Sequence, residues 1–165
     1  MEEVANKIYT RKGDEGYSSL NGKDVIKKSD RIFSVLGTLD ELNSHIGIMI
    51  PYPRDKTFDW IQDTLIHIGS VLSGHRNDND FDFEGRTILL EQRIDINQQG
   101  EKPITGFIKP RHQCHVARAV CRRFERKLVK IQHLSISPIL MFVNRLSDYL
   151  FILGTYTQMK LEKIQ

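Results

Sequence analysis

The chain has 165 residues, and its 24 lysines and arginines against 21 aspartates and glutamates give a formal charge of only +3 at pH 7. This length fits a single domain, and so small a net charge does not predict a nucleic-acid partner. The acidic N-terminus does not have the character of a signal peptide. The apolar runs are too short for a membrane span. Cys114 and Cys121 lie too far apart on one predicted helix for a disulfide, so we expect the reducing cytoplasm, or a mitochondrion for a processed form.

The first functional candidate is a glycine loop near the N-terminus. Residues 8–23 show no helical period, and Gly13, Gly16 and Gly22 permit positive φ angles. Hydroxyl and cationic side chains accompany them: Thr10, Arg11, Lys12, Ser18, Ser19 and Lys23. Such a loop can direct backbone N–H groups toward an anion, although its spacing is not that of a Walker A loop. The alternative is an N-terminal arm with ordinary turn residues.

A first helix is predicted from a cap at Ser29 or Asp30 to a stop at Pro51. Its apolar stripe consists of Ile32, Val35, Leu36, Leu39, Leu42 and Ile46. A second, narrow stripe contains Gly37, Asp40, Ser44 and Gly47. Small residues in line permit the close approach of another backbone or of a ligand, and Asp40 among them could pair with an arginine. Tight helix packing with Asp40 at its edge is the alternative.

Two further helices are predicted, one over about 56–73 from apolar residues that repeat at intervals of three and four, and a shorter one over about 86–97. The seam of the second helix contains Phe58, Ile61, Leu65, Ile68 and Leu72. His67 on this helix is interpreted as a surface or packing residue. The acidic, turn-rich loop 74–85 joins the two helices, and no spacing within it supports a metal site.

A second long loop covers residues 98–113, where two prolines prevent a helix. Its apolar pair, Phe107–Ile108, either plugs the domain or touches a ligand, and plugging is the default. His112 and His115 are three residues apart, but no third ligand is evident. Ordinary residues at the start of a helix are therefore favoured over a metal pair.

The stretch HVARAVCRRFER, His115–Arg126, is the most informative in the chain. As a helix it has one apolar face, which contains Val116, Ala117, Val120, Cys121 and Phe124 and continues with Leu128 and Ile131. The other face contains His115, Arg118, Arg122, Glu125 and Arg126. Guanidiniums one turn apart match phosphate oxygens and suit a bound polyphosphate. The alternative is a solvated face with Arg–Glu pairs.

The last helix is predicted to begin near Ile139, after a break at 135–138. Its core stripe contains Ile139, Phe142, Val143, Leu146, Leu150 and Leu153. Asn144 and Asp148 lie one turn apart, and Arg145 can pair with Asp148. Five helices without a convincing strand pattern predict an all-α, up-and-down five-helix bundle. The sequence contains no Glu-x-x-His, which excludes a di-iron bundle.

Four stretches, in this order and at these separations, resemble one family: YTRKGDEGYSSLNG, GTLDELNSHIG, ARAVCRRFER and FVNRLSDYLF. They resemble ATP:cob(I)alamin adenosyltransferases of the PduO type over nearly the full chain. The resemblance implies a ferritin-like five-helix bundle that forms a homotrimer with active sites between subunits. It implies one domain over 1–165, with an ATP loop over 1–28 and the bundle over 29–165. The implied reaction transfers the 5′-deoxyadenosyl group of ATP to cob(I)alamin, with Mg²⁺, and gives adenosylcobalamin and triphosphate.

The resemblance also implies roles for individual residues. The ATP site would contain Thr10, Arg11, Lys12, Gly13, Ser18, Ser19, Lys28, Arg122, Arg123, Glu125, Arg126 and Asn144. Asp40 and Arg118 would form an ion pair across the subunit interface. Phe107 would pack under the corrin and keep the lower axial ligand off cobalt. No metal ion held by the protein itself is implied.

The chain departs from the family pattern in two places. The Gly-Gly that usually follows the proline matched by Pro110 is absent, and the segment up to His115 is shortened. Near the C-terminus, GTYTQMK replaces a small, arginine-containing stretch. These departures keep open a carrier or sensor that binds ATP or cobalamin without the chemistry. A nucleic-acid binder using 111–130 is a third possibility, but that segment lacks interleaved aromatics and a known motif.

Overall fold

The computed structural model describes residues 9–22, 24–49, 55–76, 81–131 and 137–163. Within these ranges the chain forms five helices: α1 Arg31–Ile48, α2 Lys56–Leu72, α3 Phe83–Gln98, α4 Gln113–Leu128 and α5 Ser137–Glu162. They confirm the predicted all-α bundle. None of the helices in the described ranges is both long and apolar enough to cross a bilayer. The predicted stop at Pro51 and the start of the break at 135 lie outside the described residues.

A small hairpin precedes the bundle and corrects the expectation of no strands. Strands β1, Tyr17–Ser19, and β2, Val25–Lys27, pair antiparallel with Ser18 opposite Ile26. Three residues are too few to display the alternation by which a strand is recognised in a sequence. Strand β1 lies in the segment 8–23, in which a glycine loop was predicted, and β2 follows directly after it.

Aspartates set where the first three helices begin. Asp30, Asp55 and Asp82 each accept a backbone N–H with their side chains at the N-termini of α1, α2 and α3. Caps of this type stabilise a helix by about 1 kcal/mol each. The cap at Asp30 was predicted. Helix α3 begins at Phe83 rather than near Arg86 because Asp82 provides a cap that its sequence period did not reveal.

The core lies between helices that pack in the order α2, α1, α4, α5 and α3. The predicted seam of α2 is buried throughout, and so is that of α5 apart from the half-buried Leu153. His67 is buried and stacks on Phe81 with 4.2 Å between the ring centroids, in accordance with a packing role. Phe124 of α4 and Phe142 of α5 are fully buried in the part of the core where these two helices pack together.

Helix α4 corrects two of the predicted positions. His115, placed on the polar face, is only 5% exposed, whereas Val116, placed on the apolar face, is 51% exposed. The reason is that α4 packs against both α1 and α5, so its buried arc extends further round the helix than one apolar stripe suggests. His115 lies on the part of that arc that faces α5, where its ring approaches Phe151.

Candidate active site

The outer face of α4 presents two arginines to solvent. Arg122 and Arg126 are exposed, and within the described residues neither forms an ion pair. Arg123 between them is paired with Glu41 of α1. One turn further on, Lys127 Nζ donates to Thr38 Oγ1 of α1 at 2.7 Å. The inner cations therefore fix α4 against α1, which leaves the guanidiniums of Arg122 and Arg126 available to an anionic ligand.

Glu125 does not neutralise these arginines. Its Oε1 accepts a hydrogen bond of 3.0 Å from Asn144 Nδ2 of α5. The Arg–Glu pairs expected between successive turns of α4 on an ordinary solvated face are thus missing from the ion pairs of the described residues. Asn144 and Glu125, which the sequence placed in the same site, are brought together beside Arg122. This arrangement favours the polyphosphate interpretation of the helix.

Asp40 and Arg118 lie apart in the single chain. Asp40 is exposed on α1 and borders a shallow depression with Ile66 and Gly69 of α2. Arg118 lies on the α5 side of α4, with its Cζ 5.4 Å from the centre of the Phe151 ring. Its Nε is buried and has no hydrogen-bond partner in the described part of the chain. Asp40 therefore faces α2 and Arg118 faces α5, and the described residues of the single chain show no ion pair between them.

His115 is a neighbour of this arginine that sequence reasoning did not identify as a buried group. Burial lowers its pKa, and the charges of Arg118 and His112 lower it further. The nearby Gln158 side chain favours the protonated ring and partly opposes them. His115 packs on Gly154 of α5, where an added Cβ would lie 3.2 Å from its Nε2. The imidazole is therefore held in its neutral form at the contact between α4 and α5.

The N-terminal arm, residues 9–28, carries the remaining predicted ATP ligands. Lys28 Nζ donates to the Gly13 carbonyl oxygen at 2.7 Å and so joins the two ends of the hairpin segment. Arg11 has a φ of 61°, the left-handed region that a non-glycine residue rarely adopts. Strain of this kind is concentrated at functional sites. The side chains on the arm are exposed or, for Gly13 and Ser18, half-buried: Thr10, Arg11, Lys12, Gly13, Ser18, Ser19 and Lys28.

Phe107 is the most exposed large apolar residue among those described, with a relative exposure of 109%. It lies in the segment 99–112, which has neither helix nor strand. The default expectation that it plugs the domain is therefore wrong, although the adjacent Ile108 is half-buried. A phenylalanine held in solvent is suited to contact an apolar ligand or another chain.

A cleft between α3 and α5 was not foreseen. It has a volume of about 510 Å³ and is lined by Glu91, Ile94, Asp95, Gln98, Arg145, Asp148, Phe151 and Ile152. Arg145 spans it, bonded to Asp148 at 2.8 Å as predicted and to Glu91 of α3 at 2.9 Å. Because Phe151 also contacts Arg118, the cleft lies next to the side of α4 that contains Arg118. The partner Glu91 could not be found from the sequence because it is 54 residues away.

The described residues contain no group of three or more His, Cys, Asp or Glu placed to hold a metal ion. His112 instead caps α4, with its Nδ1 accepting from Cys114 N at 3.3 Å. Its assignment to an ordinary helix start is confirmed.

The sequence profile of the family described as "Cobalamin adenosyltransferase" matches residues 8–157. The chain belongs to the cobalamin adenosyltransferase family. The matched range includes the arm, the outer face of α4, the Phe107 segment and the cleft.

Members of this family from distant sources resemble the chain over most of its length. The corrinoid adenosyltransferase MMAB of Homo sapiens is 37% identical over 93% of this chain and 70% of its own length. The corrinoid adenosyltransferase of Bacillus subtilis is 34% identical over 88% of this chain and 83% of its own length.

The fold is shared as well. A single-residue variant of the PduO-type ATP:corrinoid adenosyltransferase from Lactobacillus reuteri, solved with cobalamin and ATP, superimposes with a TM-score of 0.80. It is 33% identical and covers 92% of this chain and 93% of that chain. A second variant of that protein, solved with ATP, has a TM-score of 0.76 at 32% identity over 92% of this chain and 93% of that chain.

Proposed function

We propose that this chain transfers the 5′-deoxyadenosyl group of ATP to cob(I)alamin and releases triphosphate. The observation that carries the proposal is the outer face of α4, where Arg122 and Arg126 have no carboxylate partner among the described residues. The names of the relatives point to the same reaction, since they are corrinoid adenosyltransferases. Two guanidiniums held at the surface suit a triphosphate leaving group.

The chemistry requires positioning more than acid–base catalysis. Co(I) is a strong nucleophile that attacks the ribose 5′ carbon, so that a cobalt–carbon bond forms while the carbon–oxygen bond to triphosphate breaks. No side-chain base is needed to activate the metal. Alignment of the two reactants can lower the barrier by roughly 7–11 kcal/mol. Each well-placed donor at the leaving group adds on the order of 3 kcal/mol.

The ATP ligands would come from two surfaces of the chain. The arm would supply backbone N–H groups, hydroxyls and cations, and its ligands would be Thr10, Arg11, Lys12, Gly13, Ser18, Ser19 and Lys28. Helices α4 and α5 would supply Arg122, Arg126 and the Asn144–Glu125 pair. Arg123 is engaged by Glu41, so we assign it to hold α4 in place. Mg²⁺ would accompany the triphosphate, because this ion is commonly bound through substrate phosphates.

The cobalamin half would be completed by a second subunit. We propose a homotrimer in which Asp40 of one copy pairs with Arg118 of the next, since the two lie on separate faces of one chain. Phe107 would meet the corrin from below. We also propose one domain over 1–165 with the ATP loop over 1–28. The cytoplasmic location stays a prediction.

Incubation with ATP, Mg²⁺ and chemically reduced cobalamin tests the reaction. Formation of the cobalt–carbon bond changes the visible spectrum, and triphosphate should appear in equal amount. Arg122→Ala should lose this activity, and Arg93→Ala, on the exposed side of α3, is its control. If ATP and cobalamin bind but the spectrum does not change, the chain is a carrier or sensor. Sedimentation of the wild type and of Asp40→Ala tests the trimer.

A further inference from the structure

The side chain of Gln158, on the last turns of α5, contacts the backbone of the Phe107 segment on both sides of Pro110. Its Oε1 accepts from Arg111 N at 2.9 Å, and its Nε2 donates to the Lys109 carbonyl oxygen at 3.0 Å. Both the oxygen and the nitrogen of the amide are thus hydrogen-bonded to the backbone of this segment. Gln158 is only 7% exposed, so these hydrogen bonds are shielded from water.

The other links between this segment and α5 are longer, lie further from Phe107 or are more exposed. Buried Tyr156 donates its hydroxyl to the Lys102 carbonyl oxygen at 3.3 Å, on the far side of Gly106. Arg111 pairs with Glu162 at 3.2 Å, but the two side chains are 63% and 47% exposed. Lys160 pairs with Glu101 at 3.1 Å and is also largely exposed. Exposed ion pairs of this kind contribute little to stability and are screened by salt. The Gln158 amide is therefore the principal anchor next to Phe107.

The hydrogen bonds of Gln158 lie on the C-terminal side of Phe107, where the backbone is constrained enough to set the orientation of that side chain. Lys109 is two residues beyond Phe107, and Pro110 has a fixed φ. On the other side Gly106 has nothing within 4 Å of the position of a Cβ, so it constrains the backbone little. Phe107 itself is fully exposed and cannot be held by packing. Its orientation is therefore set from the residues that follow it, the half-buried Ile108 and the anchored Lys109 and Arg111.

We infer that Gln158 is a positioning residue for the cobalt side of the reaction, because it holds the segment that presents Phe107 to the corrin. This inference rests on the proposed function and deepens it. It also connects the two departures noted in the sequence. The shortened segment after Pro110 and the replacement stretch GTYTQMK, which contains Gln158, meet each other through these hydrogen bonds.

Gln158→Met tests the inference, since methionine keeps the volume and removes both hydrogen bonds to the segment, together with a 3.3 Å bond from Nε2 to Glu162 within α5. Gln62→Met is the matched control: Gln62 Nε2 also donates to a backbone carbonyl, that of Asn43 at 3.2 Å, but between α2 and α1. Three quantities are measured for each variant. They are hydrogen exchange of the Arg111 amide and of the flanking segment, the affinity for ATP, and the rates from cob(II)alamin with a mild reductant and from pre-formed cob(I)alamin.

For Gln158→Met we expect faster exchange at the Arg111 amide and an unchanged ATP affinity. The rate from cob(II)alamin should fall roughly 10- to 100-fold, the loss expected when a contact is misplaced by about 1 Å. The rate from pre-formed cob(I)alamin should fall much less, because that species needs no help in losing its lower ligand. Gln62→Met should resemble the wild type in all three measurements.

Unchanged exchange at Arg111 would overturn the inference, and so would an equal fall of both rates, which assigns Gln158 to the structure alone. Gln158→Glu is the second variant, because it keeps an acceptor for Arg111 N–H and loses the donor to Lys109; it should give an intermediate exchange rate. A wild type that binds both ligands without forming the cobalt–carbon bond would overturn the proposed function. In that case the exchange data still decide whether Gln158 anchors the segment.

Discussion

The arm, residues 9–28, and the Phe107 segment, residues 99–112, both carry proposed ligand contacts without a helix, but they are held in different ways. The arm is held mainly by itself, through the β1–β2 hairpin and the bond from Lys28 to Gly13. The Phe107 segment has no internal ladder and is fastened to α5, next to Phe107 by Gln158 and at Lys102 by Tyr156. One surface is shaped locally, and the other depends on a residue about 50 positions away.

This difference separates the ways in which the two halves of the site should fail. Loss of a charge on α4 or on the arm should weaken nucleotide binding without changing the bundle. Loss of an anchor or of the exposed phenylalanine should leave nucleotide binding intact and affect only the cobalt chemistry. Substitutions in each half of the site test this separation.

Arg122→Ala should reduce adenosyl transfer by about 100- to 1000-fold, the range found when one key donor to a transition state is removed. ATP affinity should fall as well, because Arg122 is exposed and has no described carboxylate partner. The melting temperature should not change. Calorimetry with ATP, beside a melt and the Arg93→Ala control, measures both. An unchanged ATP affinity would show that the α4 face does not bind phosphate.

Phe107→Ala should lower the rate from cob(II)alamin by roughly 10- to 100-fold while ATP binding stays normal. Much of the loss should be recovered with pre-formed cob(I)alamin. Truncation of a core aromatic would cost about 3–5 kcal/mol, but Phe107 is 109% exposed and should cost no measurable stability. Two rate measurements and a thermal melt are sufficient. A large fall in melting temperature would assign Phe107 to the core of the assembled protein.

Lys28→Met should raise the dissociation constant of ATP by roughly tenfold, since a charged donor near the phosphates is lost. The bond to Gly13 is lost too, but the helices should be unaffected because that bond lies within the arm. Lys27→Met, the neighbouring exposed lysine on β2, is the matched control. Titration of both variants with ATP gives the comparison. Equal affinities would remove Lys28 from the ATP site.

His115 predicts the smallest effect, a pH dependence of stability. Its pKa is lowered in the folded chain by burial and by nearby positive charge, so the unfolded chain binds the proton more readily. Stability from this source is present above pH 6.5 and is lost as the pH falls from there toward the folded pKa. The pKa of His112 is lowered by burial and acts in the same direction.

Denaturant unfolding between pH 7.5 and 5.5 measures this dependence. His115→Gln should lose less stability than the wild type over that interval, because glutamine takes up no proton. Parallel stability curves for the two proteins would mean that His115 is not held neutral in the folded chain.

Much of the fold could be predicted because apolar periodicity marks helices that bury one face. The seams of α2 and α5 and the cap at Asp30 follow from local patterns alone. The position of His115 could not be obtained in this way, since it depends on the two neighbours of α4 rather than on its own stripe. The three-residue strands of the hairpin are also below the length at which alternation is informative.

The candidate site was less accessible to sequence reasoning than the fold. The exposed arginines of α4 could be proposed because charge and spacing are visible in the chain. The sequence could not show which arginines of α4 already have a carboxylate partner, because Glu41, the partner of Arg123, is 82 residues away. The same holds for Gln158, whose role depends on a contact 47 to 49 residues away. Contacts of this range are fixed only by the packing of the helices.

The two cysteines of α4 can report separately on fraying of this helix and on unfolding of the whole bundle. Burial raises the pKa of Cys114 to about 12 and that of Cys121 still further, so both remain thiols at neutral pH. Cys114 lies in the first turn, whereas Cys121 Sγ donates to the Val143 carbonyl oxygen at 3.3 Å in the middle of the bundle. A thiol reagent should therefore modify Cys114 during brief fraying of the helix and Cys121 only when the bundle unfolds. Mass spectra of singly and doubly labelled chains would time these two events separately, without any substitution in the protein.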